Sequence, residues 1–362
     1  MRTLWAIAAA AAVLPTAAHN STVDVRRRLS RSDGVKWRGT LNSSAIVNKY
    51  LYIFVHIPKN AGASFMKDSP KHLPRGAILK GSHEKALWHG YTQHLIQSYP
   101  RTRLVLMLRH PMKMVYSQFL MCKYSIRLQD KGFPRAPGVK GGLTLWAQRL
   151  LNRNATYAFA CYHSRDIQTR YLATAQSAWT VPKHPPMLSK ALASLGKAYF
   201  VGLAEAYPQS ACLLRMLTTS HREEYCRCGS TERGPRLTHE RHKVPSANLN
   251  ELDSEELQLL AKLVPRDIRL YARAIVKLDS QRLKVDKLFG SGAGGCAFAD
   301  TLRQGLRDTL CSAYPSASGN CSIPAKYGWA GGKTPAARAY RGVHRWQRAS
   351  GTNLARRAGY VE

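Results

Sequence analysis

The sequence predicts an α/β protein with a parallel sheet flanked by helices, and three short apolar segments lead to this expectation. Residues 50–57 are apolar or aromatic except for His56, and residues 104–108 and 198–203 form two further short runs. Runs of this length are typical of strands buried on both faces of a parallel sheet. The chain between the first two runs is long enough for the right-handed crossover that parallel strands require.

The segment after the first predicted strand has the composition of a P-loop-like, anion-binding loop. Lys59 is followed by the small residues 60–64. Small residues let backbone N–H groups surround an anion, and a helix beginning at Ala63 or Ser64 would direct its positive end toward that anion. The segment differs from a Walker loop because Lys59 precedes Gly62 instead of directly following the last glycine. A tight turn with an exposed lysine is the alternative.

The rest of the chain is predicted to alternate helices with the remaining strands. Residues 66–100 contain prolines and several histidines, so we expect a crossover of loops and short helices there. Apolar side chains at helical spacing from Met112 to Leu120 predict an amphipathic helix after the second strand. Asp253 and Glu256 have the spacing of a capping box. Further helices are predicted over 143–152, 164–175, 208–219, 253–263 and around 268–275.

The composition indicates a polyanionic partner. The chain has 55 lysines and arginines against 21 aspartates and glutamates, which gives a net charge of +34. Such a surface attracts nucleic acid, anionic membranes or acidic glycans. A hydrophobic fraction of 44% over 362 residues is enough for a packed core in one large domain with extensions or in two small ones.

The N-terminal segment indicates the secretory pathway. Arg2 precedes an apolar run that ends in small residues near Ala18, which is the pattern of a signal peptide over 1–18 or of a short signal anchor. N-x-Ser/Thr sequons and eight cysteines agree with this route, since disulfides form in oxidising compartments. We therefore expect a glycoprotein of the secretory pathway, for which an anionic glycan is a better partner than nucleic acid. Residues 19–47 are predicted to be a basic flexible stem, 48–280 the main domain, and 281–362 a cysteine-containing appendage with a basic tail.

Several stretches together resemble the Golgi carbohydrate sulfotransferases, and most closely their heparan sulfate 6-O-sulfotransferase branch. Residues 56–65, His-Ile-Pro-Lys-Asn-Ala-Gly-Ala-Ser-Phe, are similar to the family's 5′-phosphosulfate loop, which commonly reads Lys-Thr-Gly-Gly-Thr-Thr. Residues 106–119 are similar to its 3′-phosphate motif, in which an arginine at a strand end is followed eight residues later by a serine. The aspartate that usually follows this arginine is replaced by His110. The segments similar to the 6-O branch are 165–172, 199–205 and 267–272.

The resemblance implies 3′-phosphoadenosine 5′-phosphosulfate (PAPS) as the sulfate donor, with no metal cofactor. Because PAPS carries phosphates at opposite ends of a nucleoside, it needs two anion sites, which neighbouring strand ends of an open α/β sheet can provide. The loop would hold the 5′ end, and an arginine and a serine would hold the 3′-phosphate. A later basic loop would cover the nucleotide. The implied donor-binding residues are Lys59, Asn60, Ala61, Gly62, Ala63, Ser64, Arg109, Ser117, Arg241 and Lys243.

The catalytic residues that the resemblance implies are His83 and Lys59. His83 lies in the crossover where the 6-O branch has its catalytic histidine, and an imidazole with a pKa of about 6.5 suits a general base. Lys59 would offset charge on the bridging oxygen as its bond to sulfur breaks. His89 and His94 are the alternative bases. The acceptor would be a hydroxyl of an anionic, heparan-sulfate-like glycan, and the resemblance implies the Golgi lumen as the location if the protein is not secreted.

Two other functions are weighed against this one. A P-loop-type kinase is disfavoured because the Walker spacing and a strand-end aspartate for magnesium are both missing from the sequence. A secreted polyanion-binding protein with the same fold and no catalytic activity is compatible with the altered loop and the high charge. The N-terminal segment is also expected to associate with a membrane if it is a signal anchor. The sequence does not predict the oligomeric state.

Overall fold

The computed structural model describes a large part of the chain. The described residues are 50–74, 78–83, 86–99, 101–124, 142–152, 162–176, 184–232, 234, 237, 244–315, 321 and 323–327, and for 78–83, 90, 91, 95 and 98 the backbone alone is described. The expected signal segment, the stem and the end of the basic tail lie outside these residues, as do Arg241 and Lys243.

A four-stranded parallel sheet in the order β2-β1-β3-β4 forms the centre of the fold. β1 spans Leu51–His56, β2 Ile78–His83, β3 Thr102–Leu108 and β4 Phe200–Leu203. The three apolar runs correspond to β1, β3 and β4, so the prediction of an α/β protein with a parallel sheet is confirmed. The side chains of β1 are buried up to Val55, as the apolar run requires.

The strand β2 corrects the prediction that residues 66–100 contain only loops and short helices. It pairs with β1 alone, from Ile78 opposite Leu51 to His83 opposite His56. Its sequence, Ile-Leu-Lys-Gly-Ser-His, contains no long apolar run. Apolar runs identify central strands, whereas this strand lies at an edge of the described sheet, and the pattern therefore gave no signal for it.

Ten helices are described around these strands, and most of the predicted ones are present. The capping box is confirmed, because the Asp253 carboxylate accepts the Glu256 N–H at 2.8 Å and the Glu256 carboxylate accepts the Asp253 N–H at 3.4 Å. Two helices, Leu188–Lys197 and Ala299–Ala313, were not predicted. The helices are α1 Gly62–His72, α2 Gly90–Ser98, α3 Pro111–Tyr124, α4 Gly142–Leu151, α5 Ile167–Ala173, α6 Leu188–Lys197, α7 Tyr207–Thr219, α8 Ser254–Leu263, α9 Pro265–Phe289 and α10 Ala299–Ala313.

The long helix α9 crosses the domain boundary that was predicted after residue 280. Beyond that boundary, Gln281 and Val285 are still buried. The side-chain oxygen of Gln281 accepts a hydrogen bond of 3.2 Å from the backbone N–H of Val201 in β4. The main domain therefore continues through the end of α9, because Gln281, which belongs to the segment expected to be an appendage, bonds to the backbone of β4.

Disulfides cross-link the C-terminal half of the described chain. The bonded pairs are Cys212–Cys226, Cys228–Cys296 and Cys311–Cys321, and Cys122 is also disulfide-bonded. Cross-links of this number indicate an oxidising, secretory-type environment, as predicted. Within the described residues, no helix has the length and apolarity needed to span a membrane.

Candidate active site

The crevice between the carboxyl ends of β1 and β3 is the topological switch point of the sheet. From β1 the chain crosses to β2 on one side and then to β3 on the other. In open α/β sheets, ligands bind in the crevice at such a point, because the loops that follow the two strands diverge there. The two segments that meet at this crevice are the predicted anion loop after β1 and Arg109 after β3.

The anion loop has two non-glycine residues in the left-handed region. Lys59 has φ 68° and Ala61 has φ 60°, and Ala61 directly precedes α1 without a side-chain cap. Left-handed backbone is costly for residues with a Cβ and is concentrated at functional sites. The first turn of α1 contains no acidic side chain. The helix itself therefore supplies no carboxylate to its N-terminal end, as an anion site requires.

Gly62 is required at the start of α1 because the His56 ring lies against it. A Cβ at this position would be 2.0 Å from His56 Cδ2 and 2.3 Å from its Nε2. The imidazole also stacks on Phe54, with 5.7 Å between the ring centroids. The His56 ring at the end of β1 therefore packs so closely against the start of α1 that only glycine fits at position 62.

Lys59 and Arg109 bring two positive charges together at the crevice. The Arg109 guanidinium donates a hydrogen bond of 2.9 Å to the carbonyl oxygen of Lys59. Burial, reinforced by the charge of Arg109, lowers the pKa of Lys59 to about 8. Burial also lowers the pKa of Arg109, while the Glu205 carboxylate opposes that shift. Neither cation has an ion-pair partner among the described residues, so together they favour a bound anion.

A buried amide network joins the loop to the end of β3. The side-chain N–H₂ of Asn60 donates to the Met107 carbonyl at 3.2 Å and to the side-chain oxygen of Gln168 at 3.0 Å. Gln168 also accepts the Arg109 N–H at 3.0 Å and donates to the Arg109 carbonyl at 2.9 Å. Asn60 and Gln168 are both buried. The resemblance implies Asn60 as a donor-binding residue, and its side-chain N–H₂ donates inside the protein, where it fixes the loop.

A carboxylate of α9 holds Gln168 in position. Asp267 is fully buried and accepts the backbone N–H groups of Gln168 at 3.1 Å and Thr169 at 2.7 Å. Burial and the neighbouring Asp166 carboxylate raise the pKa of Asp267 to about 7, and the backbone donors oppose this shift. Asp166 in turn accepts from the Arg266 guanidinium at 3.0 Å. The start of α5 is therefore anchored to the start of α9.

A second network fixes the residue that follows Arg109. The Glu205 carboxylate, located just after β4, accepts the His110 N–H at 2.9 Å and the Tyr271 hydroxyl at 2.8 Å. Burial lowers the pKa of His110 to about 3, so its imidazole is neutral at physiological pH. Its Nε2 atom has no hydrogen-bond partner in the described part of the chain. The ends of β3 and β4 are thus locked together beside Arg109.

The structure brings most of the predicted donor-binding residues to the crevice. The loop residues from Lys59 to Ser64 and Arg109 meet there, and Ser117 is buried in α3, which follows Arg109. For His83 the backbone alone is described, at the carboxyl end of β2 and paired with His56. The edge strand thus brings His83 to the same end of the sheet as the loop. His89 directly precedes α2, and His94 lies in the middle of this helix.

Sequence reasoning assigned no role to Gln168, Glu205 and Asp267. All three lie in the segments that resemble the 6-O branch, but polar and charged neighbours surround Gln168 and Asp267 in the sequence. Their burial in a hydrogen-bond network therefore gave no local signal, because their partners are far away in sequence.

Comparisons with family models, with curated proteins and with solved structures found no match to this chain. The described fold and crevice define an α/β protein with a candidate anion site at the switch point of its sheet.

Proposed function

We propose that this protein is a PAPS-dependent sulfotransferase that transfers a sulfuryl group to a hydroxyl of an anionic carbohydrate. The observation that carries the proposal is the 2.9 Å hydrogen bond between Arg109 and the Lys59 carbonyl. It brings together, at one crevice, the two motifs that resemble the 5′-phosphosulfate loop and the 3′-phosphate motif. These motifs are 50 residues apart in sequence.

The crevice residues fit the donor's two anionic ends. On the β1 side, the uncapped N-terminus of α1 and the Lys59 ammonium suit the phosphosulfate. On the β3 side, Arg109 suits the 3′-phosphate. The Ser117 hydroxyl has no hydrogen-bond partner among the described residues, and it is therefore free to donate to the same phosphate. Arg241 and Lys243 would cover the nucleotide, as the resemblance to the sulfotransferases implies.

The transfer is an in-line displacement in which the protein positions and stabilises charge. The acceptor oxygen forms a bond to sulfur while the bond from sulfur to the 5′-phosphate oxygen breaks, and the electron pair of that bond stays on the phosphate. The acceptor proton passes to the base, which we propose is His83. Lys59 stabilises the charge that develops on the departing phosphate oxygen. The amide network of Asn60 and Gln168 holds the loop to which Lys59 belongs. The second product is adenosine 3′,5′-bisphosphate.

The experiment that tests this function is transfer of labelled sulfate from PAPS to a panel of neutral and acidic glycans. Incorporation that depends on PAPS and is lost in Lys59→Ala and Arg109→Ala supports the proposal. Binding of adenosine 3′,5′-bisphosphate without transfer to any glycan would favour the inactive binding protein. A protein that neither binds the bisphosphate nor transfers sulfate would contradict the donor assignment.

A further inference from the structure

The outer side of α9 carries a row of basic side chains, interrupted once at Ser280, which we name the α9 basic stripe. At about 100° per residue, its members fall within an arc of roughly 80° of the helix surface. At about 1.5 Å per residue, the row is roughly 30 Å long. The members of the α9 basic stripe are Arg266, Arg269, Arg273, Lys277, Lys284 and Lys287.

The acidic residues of α9 lie away from the stripe. Asp267 is buried under the start of the helix, and Asp279 and Asp286 both pair with Arg282, at 3.0 and 2.7 Å. Apart from Arg266, which pairs with Asp166, no member of the stripe forms an ion pair within the described residues. Four of the members, Arg269, Arg273, Lys284 and Lys287, are exposed, so the stripe presents uncompensated charge to the solvent.

This arrangement costs the free protein stability. Like charges four residues apart on a helix repel each other, and the stripe contains the pairs Arg269/Arg273 and Arg273/Lys277. Burial and the charge of Lys284 lower the pKa of Lys277, whose ammonium donates to the Gly196 carbonyl at 3.2 Å. An ordinary solvated helix face mixes charges of both signs. Binding of a polyanion would reduce the repulsion between the charges of such a row.

The shape of the stripe favours a linear polyanion over a membrane. A helix that lies on a membrane inserts its apolar face into the lipid, whereas the apolar face of α9, with residues such as Ile268, Tyr271 and Ile275, is buried in the protein core. A narrow row of charges along a rod instead matches a polymer with charges along its length. The disulfides place the protein in an oxidising compartment, where acidic glycans are the abundant linear polyanions and nucleic acids are not.

We infer that the α9 basic stripe is a binding surface for a linear polyanionic glycan, outside the site of transfer. The inference rests on the proposed function in taking this glycan to be the acceptor chain. The first member of the stripe pairs with Asp166, which directly precedes α5, and the adjacent Asp267 holds Gln168 against the anion loop. The stripe therefore begins at the framework of the crevice and runs away from it, so a long chain gains contacts that a short one lacks.

The test compares two variants that remove the same positive charge. The stripe variant is Arg269→Gln/Arg273→Gln/Lys284→Gln, and glutamine preserves the helix because its propensity is close to that of lysine and arginine. The control variant is Arg222→Gln/Arg227→Gln/Arg303→Gln, which replaces side chains that already pair with Glu224 or Asp300. The probes are size-fractionated heparin, duplex DNA and vesicles with anionic headgroups, with affinities measured across a salt series. Circular dichroism and thermal unfolding check that both variants fold.

We expect the stripe variant to bind long heparin about tenfold more weakly at physiological salt, since exposed charge contacts each contribute roughly a factor of two. Its affinity should also depend less on salt, because fewer counterions are displaced. The control variant should keep its affinity within about twofold, and binding of adenosine 3′,5′-bisphosphate should be unchanged in both. Equal losses in the two variants, or a stripe variant that binds heparin normally, would overturn the inference. Loss of DNA or vesicle binding without loss of heparin binding would also overturn it, by assigning the surface to another partner.

Failure of the stripe is distinguishable from failure of the proposed function. Heparin binding is measured without PAPS, so a selective loss in the stripe variant supports the stripe even where no sulfate transfer is found. Conversely, PAPS-dependent transfer by a protein whose heparin affinity is indifferent to the stripe supports the enzyme and contradicts the surface.

Discussion

The side-chain amide of Asn60 donates a hydrogen bond of 3.0 Å to the side-chain oxygen of Gln168, 108 residues away in the sequence. The same oxygen accepts the backbone N–H of Arg109. One buried side chain therefore connects the loop after β1 to the end of β3. The distance between the two halves of the proposed donor site depends on this connection, although Gln168 is not assigned to contact the donor.

Replacing Gln168 should therefore weaken both stability and nucleotide binding. Gln168→Met keeps the approximate volume but leaves the Arg109 N–H and carbonyl without their partner, which we expect to cost about 2–4 kcal/mol in the free energy of unfolding. The Kd for adenosine 3′,5′-bisphosphate should rise because the two anion sites are no longer held together. Urea unfolding and calorimetric titration measure these two quantities. Unchanged nucleotide affinity in a destabilised variant would show that the network has a folding role alone.

Arg109 should distinguish nucleotides by their 3′-phosphate. Arg109→Ala should weaken binding of adenosine 3′,5′-bisphosphate by roughly 1.5–3 kcal/mol, as expected for a charge-assisted contact. Binding of adenosine 5′-monophosphate should also weaken, because Arg109 supports the anion loop through its bond to the Lys59 carbonyl. This loss should be the smaller one, since the monophosphate has no 3′-phosphate. Ser117→Ala is a milder change at the same proposed phosphate site and should show the same preference to a lesser degree. Equal losses for the two nucleotides in Arg109→Ala would remove Arg109 from the 3′-phosphate site.

The central part of the fold could be predicted because it depends on local patterns. The apolar runs of β1 and β3 identified strands that are buried on both faces, and Asp253 with Glu256 identified the start of α8. The edge strand β2 gave no such signal, because polar residues such as Lys80 and Ser82 are tolerated there. α10 was missed because the cysteines and glycines around it suggested an irregular appendage.

The candidate site was predictable only in part, because only some of its contacts follow from local sequence patterns. Lys59 and Arg109 each follow a strand, and strand ends of a parallel sheet meet at one edge, so their proximity was foreseeable. The role of Asn60 could not be foreseen. Its side chain bonds to Met107 and Gln168, and local sequence does not reveal partners so far away.

Gly62→Ala should destabilise the protein although alanine is the better helix former. The new Cβ would lie 2.0 Å from the His56 ring, and we expect this clash to cost roughly 1–3 kcal/mol in the free energy of unfolding. Gly196→Ala is the matched control, since a Cβ at this position in α6 meets no atom within 4 Å. It should be neutral or gain up to about 1 kcal/mol. In a double-mutant cycle, adding His56→Ala should recover part of the loss, and strict additivity would contradict the contact.

His72 should make folding stability fall in mild acid. Burial lowers the pKa of His72 to about 4 in the folded protein, whereas an exposed histidine in the unfolded chain titrates near 6.5. Between these values the unfolded state binds more protons, so stability is lost as the pH falls through this range. From about pH 7.5 to about pH 5.5, His72 should contribute a loss of roughly 1.3 kcal/mol.

The variant His72→Leu tests this assignment. Neither ring nitrogen of His72 has a hydrogen-bond partner among the described residues, so leucine removes buried polar atoms without breaking a bond. Urea unfolding at both pH values should show a pH dependence smaller by about 1 kcal/mol in the variant. A pH dependence identical to that of the unsubstituted protein would assign the acid sensitivity to other groups.

The last prediction concerns His83 and Lys59, whose replacement should affect turnover in different ways. His83→Ala should lower kcat by roughly 10²–10⁴, the usual contribution of a positioned general base, with little change in the Kd of adenosine 3′,5′-bisphosphate. Lys59→Ala should lower turnover and also weaken donor binding, because its charge acts in both the ground state and the transition state.

The pH dependence of kcat/KM separates the two roles. Loss of the base on protonation should give an acid limb with a pKa near that of histidine, and this limb should disappear in His83→Ala. Because burial and Arg109 lower the pKa of Lys59 to about 8, loss of its charge should give an alkaline limb near that value, which Lys59→Ala removes. His89→Ala and His94→Ala are the controls and should keep both limbs. If His83→Ala retains nearly full turnover and the acid limb persists, the base is a different residue, and loss of the limb in one of the two controls would identify it.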